Sequence, residues 1–198
     1  LDIVPALMRK FRTLLEPRQP IDEENHRKGA KRNIERHYDL SNELFTQFLD
    51  ETMTYSSAWF AEAERSFSNL ATAQRNKVDG ILDFASVTSG TKVLEIGSGW
   101  GQLALQAASR GADVHTITLS DEQFTLATQR FKSAGLDSRI TIEIRDYRDV
   151  HDQFDAVVSV EMIEAVGEKY WHDYFKSVAS NLRPGGRFGL QAITMPHD

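Results

Sequence analysis

From Thr91 onward, short apolar runs alternate with longer amphipathic stretches, the arrangement of a parallel sheet covered by helices on both faces. Strands are predicted at Lys92–Ile96, Asp113–Thr118, Ile140–Arg145, Phe154–Val160 and Gly186–Ile193, with helices near 102–110, 121–134, 163–167 and 169–182. Ser120 and Gln123 make an S-x-x-Q capping box that marks one helix start. Pro184-Gly185-Gly186 reads as the turn feeding the fifth strand. Ahead of this block the pattern is helical. Ile3, Val4, Leu7, Met8, Phe11, Leu14 and Leu15 keep three-and-four spacing until Pro17 and Pro20 end it. Residues 16–33 are polar and read as a linker or short helix, and Ile34 to Leu49 forms a second helical region with Leu44, Phe45, Phe48 and Leu49 on one side. Met53 to Phe60 is aromatic-rich and irregular, and Leu70 to Phe84 is a helix leading into the sheet. The chain thus divides into a helical front, residues 1–69, and an α/β domain, residues 70–198.

The first predicted strand runs into Val93-Leu94-Glu95-Ile96-Gly97-Ser98-Gly99-Trp100-Gly101, followed by an Ala/Leu-rich helix. Glycine lets a backbone turn sharply and a ligand approach where a Cβ would collide, and the helix N-terminus beyond offers unpaired N–H groups. The spacing is G-x-G-x-G, not the G-x-G-x-x-G suited to a dinucleotide pyrophosphate. A strand-borne acid with this tighter loop resembles motif I of S-adenosylmethionine-dependent methyltransferases. A ligand-free glycine turn would weaken both flanking elements for no return.

Composition narrows the class. The 198 residues are 40% hydrophobic and 26% charged, an ordinary globular balance large enough for one sizeable core. No apolar run approaches a membrane span, and no signal-peptide pattern opens the chain, so a cytoplasmic location is expected. With no cysteine there is no disulfide, thiolate metal site or thiol nucleophile. The six histidines show no ligand spacing, so no structural metal is expected. Residues 1–36 carry nine Lys/Arg against six Asp/Glu, and the rest 14 against 23. Arg27, Lys28, Lys31, Arg32 and Arg36 form the densest basic cluster. It reads either as a solvated helix face or as a contact for an anionic membrane, at about 1 kcal/mol per basic residue near the lipid. A net charge of −6 argues against nucleic acid.

Four blocks together resemble the cyclopropane fatty acid synthase family, which includes the mycolic acid methyltransferases: His37-Tyr38-Asp39-Leu40-Ser41-Asn42, Met53 to Phe60, Val93 to Gly101, and Ser159 to Gly167. Thr118-Leu119-Ser120 with Gln123, Asp146-Tyr147-Arg148-Asp149 and Leu190 to Thr194 add to it. The match runs from about residue 27 to the end. It implies an α/β, Rossmann-like class I methyltransferase sheet under an N-terminal helical cover. Such a sheet usually has seven strands, so the last two, following Asp198, are expected to be missing from this sequence. Domain roles follow: 1–69 as cover, contacting substrate and membrane, and 70–198 as the S-adenosylmethionine-binding domain.

The resemblance places cofactor contacts at Tyr55, Ser56, Glu95, Gly97, Gly99, Gly101, Thr118, Leu119, Gln123, Asp146 and Tyr147. These fall at carboxyl ends of predicted strands or on the cover, where open α/β sheets bind ligands. The implied reaction adds the cofactor's methyl to the cis double bond of an unsaturated fatty acyl chain in phospholipid. The resulting carbocation loses a proton to close a cyclopropane ring. Tyr55, Trp59 and Phe60 offer aromatic faces to that cation or simply pack. The family's base is bicarbonate, and its ligand positions fall on Glu164, Ile193, Ser57 (a cysteine in the family) and Gln191 (a histidine in the family). Serine and glutamine still donate and accept hydrogen bonds. The two departures also fit a methylene- or methyl-branched product. Glu164 heads this set, and Glu161 is the alternative carboxylate for lining the pocket. A small-molecule N-methyltransferase and a non-catalytic S-adenosylmethionine-binding subunit remain alternatives. Peripheral attachment at the inner membrane face and association into homo-oligomers complete the expectations.

Overall fold

The computed structural model describes residues 42–194, with side chains from residue 44 onward. The predicted helix over 1–15, the polar stretch 16–33, the basic cluster and His37–Ser41 lie outside the described residues. Helix α1 spans Asn42–Phe48 and α2 spans Phe67–Phe84. Strands and helices then alternate: β1 Lys92–Ile96, α3 Gln102–Ser109, β2 Asp113–Thr118, α4 Asp121–Ser133, β3 Ile140–Ile144, β4 Phe154–Val160, α5 Ile163–Val166, α6 Trp171–Asn181 and β5 Leu182–Gln191. All five strands are parallel, in the order β3-β2-β1-β4-β5. The order reverses at β1, so a crevice opens above the carboxyl ends of β1 and β4, where doubly wound sheets take ligands.

Successive strand residues feed opposite layers. Val93, Val114, Ala156 and Val158 pack with Leu82, Ala104, Ala107 and Phe131 of α2, α3 and α4. Leu94, Ile117 and Val157 pack with Val150, Tyr174 and Val178 on the other face. Strands β1 and β4, buried on both faces, carry apolar residues at consecutive positions, whereas the edge strand β3 alternates Ile140, Ile142 and Ile144 with Thr141 and Glu143.

Helix α2 and strand β5 depart furthest from expectation. Helix α2 begins at Phe67, after Ser66, one turn before the predicted start, because its first turn buries nothing and shows no apolar period. Strand β5 begins at Leu182, opposite Phe154; the register then jumps to Arg187 opposite Ala156, so Arg183–Gly186 leaves the ladder. The predicted Pro-Gly-Gly turn is therefore an excursion inside β5. Pro184 has no N–H to donate, Gly185 has φ +83°, and Arg183 is anchored to Asp155 at 2.6 Å. The strand ends at Gln191, two residues short of Ile193, where β4 stops offering partners. No helix among the described residues is long and apolar enough to cross a membrane. Among the same residues, no group of three or more His, Asp or Glu could hold a metal.

Candidate functional site

The glycine loop leaves β1 at the centre of the sheet. Gly97 N and Ser98 N both donate to Ile117 O, at 3.0 and 2.9 Å, clamping the loop to β2. Two glycines are demanded by neighbours as well as by backbone. At Gly97 (φ +93°) a Cβ would lie 2.5 Å from Met162 Cγ, and at Gly101 (φ +89°) 2.5 Å from Phe131 Cε1. Gly99 has φ +47° and nothing within 4 Å of a would-be Cβ. The space in front of it is open.

That space is a cavity of about 1050 Å³ including the open solvent at its mouth. Its walls come from every carboxyl-terminal loop nearby: Gly97–Trp100 after β1, Thr118, Leu119 and Gln123 after β2, Arg145 and Tyr147 after β3, and Glu161 and Met162 after β4. Met53–Ser56 closes it from the front, and Lys77 reaches in from α2. Of the expected cofactor residues, Tyr55, Ser56, Glu95, Gly97, Gly99, Thr118, Leu119, Gln123 and Tyr147 line this one cavity. Gly101 and Asp146 do not. Gly101 stands behind the loop as the N-cap of α3. Asp146 caps the short 3-10 turn that presents Tyr147, and Arg148 grips its carboxylate at 2.8 and 2.5 Å. The capping box forms in half. Ser120 Oγ accepts from Gln123 N at 3.2 Å, but the Gln123 amide turns to accept from the Thr118 hydroxyl at 2.8 Å.

The front wall is held by aromatic packing and buried polar anchors. Phe45, Met53 and Trp100 form a small core of their own, with the Phe45 and Trp100 rings 4.7 Å apart and Tyr55 set edge-on to Phe45 at 5.4 Å. Gln74 donates to Thr54 O and Ser56 O at 3.2 and 2.8 Å. Arg130 donates to Thr52 O at 3.1 Å, to Trp100 O at 2.6 Å and to Gln102 Oε1 at 2.9 Å. It joins α4, the glycine loop and the front segment. Trp59 lies over Gly80, whose would-be Cβ is 3.0 Å from the indole.

Two buried charges face the cavity. Glu95 is 3% exposed and accepts from Thr116 Oγ1 at 2.6 Å. Burial pushes its carboxyl from the ordinary 4.5 up to about 8, against the pull of Thr116 and Lys77. Burial lowers Lys77 from 10.5 to about 8, against attraction from Glu161, Asp50 and Glu95, and its ammonium donates to Ser56 Oγ. For Glu95, whose folded value is raised, the stabilising contribution is complete below pH 4.5 and is lost as pH rises through about 8. For Lys77, lowered, the contribution present above pH 10.5 is lost as pH falls through about 8. The pair therefore places a stability minimum near pH 8. Replacing Glu95 by Gln is expected to flatten the decline between pH 5 and 8, read from denaturant midpoints across that range; an unchanged slope would refute the assignment.

A second cluster sits beside the cavity. Ser57 N, Ser57 Oγ and Gln191 Nε2 all donate to Glu161 Oε1, at 2.9, 2.8 and 2.8 Å, and Gln191 Nε2 also reaches Ser57 Oγ at 3.0 Å. The structure thus brings Ser57 and Gln191 together, with Glu161 between them. Glu164, on α5, accepts from the backbone N–H of Ile193, two residues beyond Gln191, so the expected Glu164–Ile193 pair also forms. Glu161 has φ +49°, a conformation that costs an L-residue about 1–2 kcal/mol. Its N–H donates to Gln191 O at 2.8 Å, so backbone and side chain are pinned to the same β5 residue. A groove adjoins this cluster, lined by Ser57, Ala58, Trp59, Lys77, Gly80, Ile81, Phe84, Leu190, Gln191 and Ala192. Lys77 lines groove and cavity alike. Lys77, Arg145 and Met162 escaped the sequence reading. Only Lys77 left a trace, a charge among the buried positions Ala73, Gln74, Val78 and Ile81 of α2.

A family model described as mycolic acid cyclopropane synthetase matches residues 25–198. The chain belongs to the mycolic acid cyclopropane synthetase family. Among curated members, the tuberculostearic acid methyltransferase of Mycobacterium tuberculosis is 50% identical over 99% of this chain and 47% of its own length. The cyclopropane-fatty-acyl-phospholipid synthase of Escherichia coli is 44% identical over 79% of this chain and 39% of its own. This family member therefore spans less than half the length of those relatives. Of solved structures, the mycolic acid cyclopropane synthase complexed with SAH and CTAB superposes with a TM-score of 0.73 at 28% identity, covering 81% of this chain and 55% of that one. The five strands and their helices are the Rossmann-like class I methyltransferase fold.

Proposed function

We propose that the protein is an S-adenosylmethionine-dependent C-methyltransferase acting on double bonds of unsaturated fatty acyl chains in phospholipids. The observation that carries this reading is the junction of two compartments. A cavity at the glycine loop, into which Glu95, Thr118, Gln123 and Glu161 bring polar groups, and a groove lined by Trp59, Ile81, Phe84 and Leu190 meet at Lys77, beside Ser57 and Glu161. One compartment suits a cofactor and the other a hydrocarbon chain. The names of the relatives agree: a fatty-acyl-phospholipid synthase, a tuberculostearic acid methyltransferase, and a synthase bound to SAH.

The residues present fit the cofactor. Glu95 and Glu161 put carboxyl groups on a cavity that would receive a positively charged sulfur and an α-ammonium. Gly97 and Gly99 leave backbone exposed for close approach. Thr118 and Gln123 offer polar atoms suited to ribose hydroxyls, and Leu119, Tyr147 and Tyr55 offer faces for a purine. Gly101 and Asp146 support these contacts by capping α3 and the Tyr147 turn. When bound, S-adenosylmethionine supplies an electrophilic methyl that needs only an aligned electron pair with water excluded. The chain's part is to align and to exclude. Tyr55 and Met53 shut the front, and Met162 fills the floor beneath Gly97.

Residues 1–69 serve as the cover and the contact to lipid, with the Arg27–Arg36 cluster facing the anionic inner surface of the membrane, while residues 70–198 bind the cofactor. The complete protein, given methyl-labelled cofactor and vesicles of unsaturated phospholipid, is expected to place label in the lipid fraction, and to place none in saturated vesicles. Label in small amines with none in lipid, or tight cofactor binding without any transfer, overturns this reading.

A further inference from the structure

The left-handed residue after β4 is unusual in position and in partners. Glu161 is neither glycine nor asparagine, yet it holds φ +49° in the wall of the cavity at the glycine loop. Residues kept in such backbone wells persist where surrounding structure over-determines them, and they concentrate at working sites. What the conformation achieves here is visible. It turns the carboxylate into a frame of three donors, Ser57 N, Ser57 Oγ and Gln191 Nε2, all within 2.9 Å of one oxygen. Among the described residues no hydrogen bond is donated to the other oxygen, Oε2. A frame of convergent donors beside a cavity is an anion site, and in this chain the protein's own side chain occupies it. The frame joins three distant parts of the chain, the front segment, the loop after β4 and the end of β5, where cavity and groove meet.

We infer that Glu161 is the general base of the reaction, a built-in carboxylate that takes the place of a dissociable anion in the Ser57–Gln191 frame. This rests on the proposed C-methyltransferase reading. The alkene π pair forms the new carbon–carbon bond to the methyl, and the sulfur departs with its bonding pair as a neutral thioether. The adjacent carbon is left positive. Glu161 then removes a proton from the methylated chain. The released C–H pair closes a three-membered ring, or, after a 1,2-hydride shift, becomes the π bond of a methylene branch. Carbocation and carboxylate end as a neutral product and a carboxylic acid. Ser57 and Gln191 are positioning residues that hold Oε1 and leave Oε2 toward the substrate.

The backbone supplies the discriminating variant. Glycine adopts φ +49° without strain, so Glu161→Gly empties the frame and leaves the turn intact, whereas Glu161→Gln keeps it filled without a base. Using complete protein in carbonate-free buffer, wild-type turnover on unsaturated phospholipid is expected to be indifferent to added bicarbonate. Both variants should lose about 10²–10⁴-fold in kcat, the usual worth of a positioned base. Bicarbonate or formate should restore Glu161→Gly at least tenfold and leave Glu161→Gln inactive. A readout independent of turnover runs alongside: bicarbonate should raise the melting temperature of Glu161→Gly and leave wild type unmoved. Wild-type dependence on bicarbonate, near-normal activity of Glu161→Gln, or an equal thermal response in wild type and Glu161→Gly would each overturn the inference. If wild type transfers no label at all, the functional reading fails, and the thermal comparison still decides whether Glu161 fills an anion site.

Discussion

Trp100→Ala is expected to lose roughly 3–5 kcal/mol of stability, the range for truncating a buried aromatic residue, and to weaken cofactor binding more than tenfold. Trp100 is 3% exposed, and it is the part of the glycine loop that touches the front wall. Its ring lies tilted against Phe45 and packs with Met53 in a core separate from the two that flank the sheet. That third core contains only a few residues, so no neighbour can fill the hole. The loss should appear as a lower denaturant midpoint, and as faster proteolysis across residues 49–66 than in wild type. Calorimetric titration with S-adenosylhomocysteine measures the affinity. A lowered midpoint with unchanged proteolysis and affinity would show that the front wall is held independently of Trp100.

Gly101→Ala and Gly99→Ala are expected to fail in opposite ways. At Gly101 the added methyl needs a left-handed backbone, about 1–2 kcal/mol, and overlaps Phe131 and Ala127 of α4, about 1–3 kcal/mol more for overpacking. The outcome is a stability loss of roughly 2–5 kcal/mol in a residue that does not line the cavity. At Gly99 only the backbone strain applies, because the methyl meets nothing within 4 Å; it projects instead into the space proposed for the cofactor. Gly99→Ala should therefore fold with a modestly lower melting temperature and lose at least tenfold in affinity. Equal affinity losses in the two variants, after correction for folded fraction, would contradict this division.

The parts of the fold that the sequence displays are those where one force acts alone. Strands β1 and β4 are buried from both sides, so burial writes an apolar run directly into the chain, while the edge strand β3 shows as an alternation of Ile with Thr and Glu. Strand β5 obeys two demands at once, pairing with β4 and accommodating Pro184 and Gly185, and its register jump has no local signature. The site divides the same way. The glycine loop is legible because its backbone needs are absolute. The meeting of Glu161 with Ser57 and Gln191 is not, because it depends on a left-handed turn that no propensity for glutamate favours and on donors from residues 57 and 191. The Arg148 grip on the Asp146 carboxylate, two residues away, leaves no pattern in the sequence. The Gln123 amide likewise follows the Thr118 hydroxyl and not the helix cap its spacing suggests.

Arg130 binds carbonyl oxygens of both the front wall, at Thr52, and the glycine loop, at Trp100. One guanidinium thus makes wall and loop a single mechanical piece. A change that reshapes the wall for a different hydrocarbon will be felt by the loop. Divergence in chain preference within this lineage should therefore carry compensating drift around residues 52, 100 and 130, and grafting a foreign front segment should succeed only when those three positions travel with it.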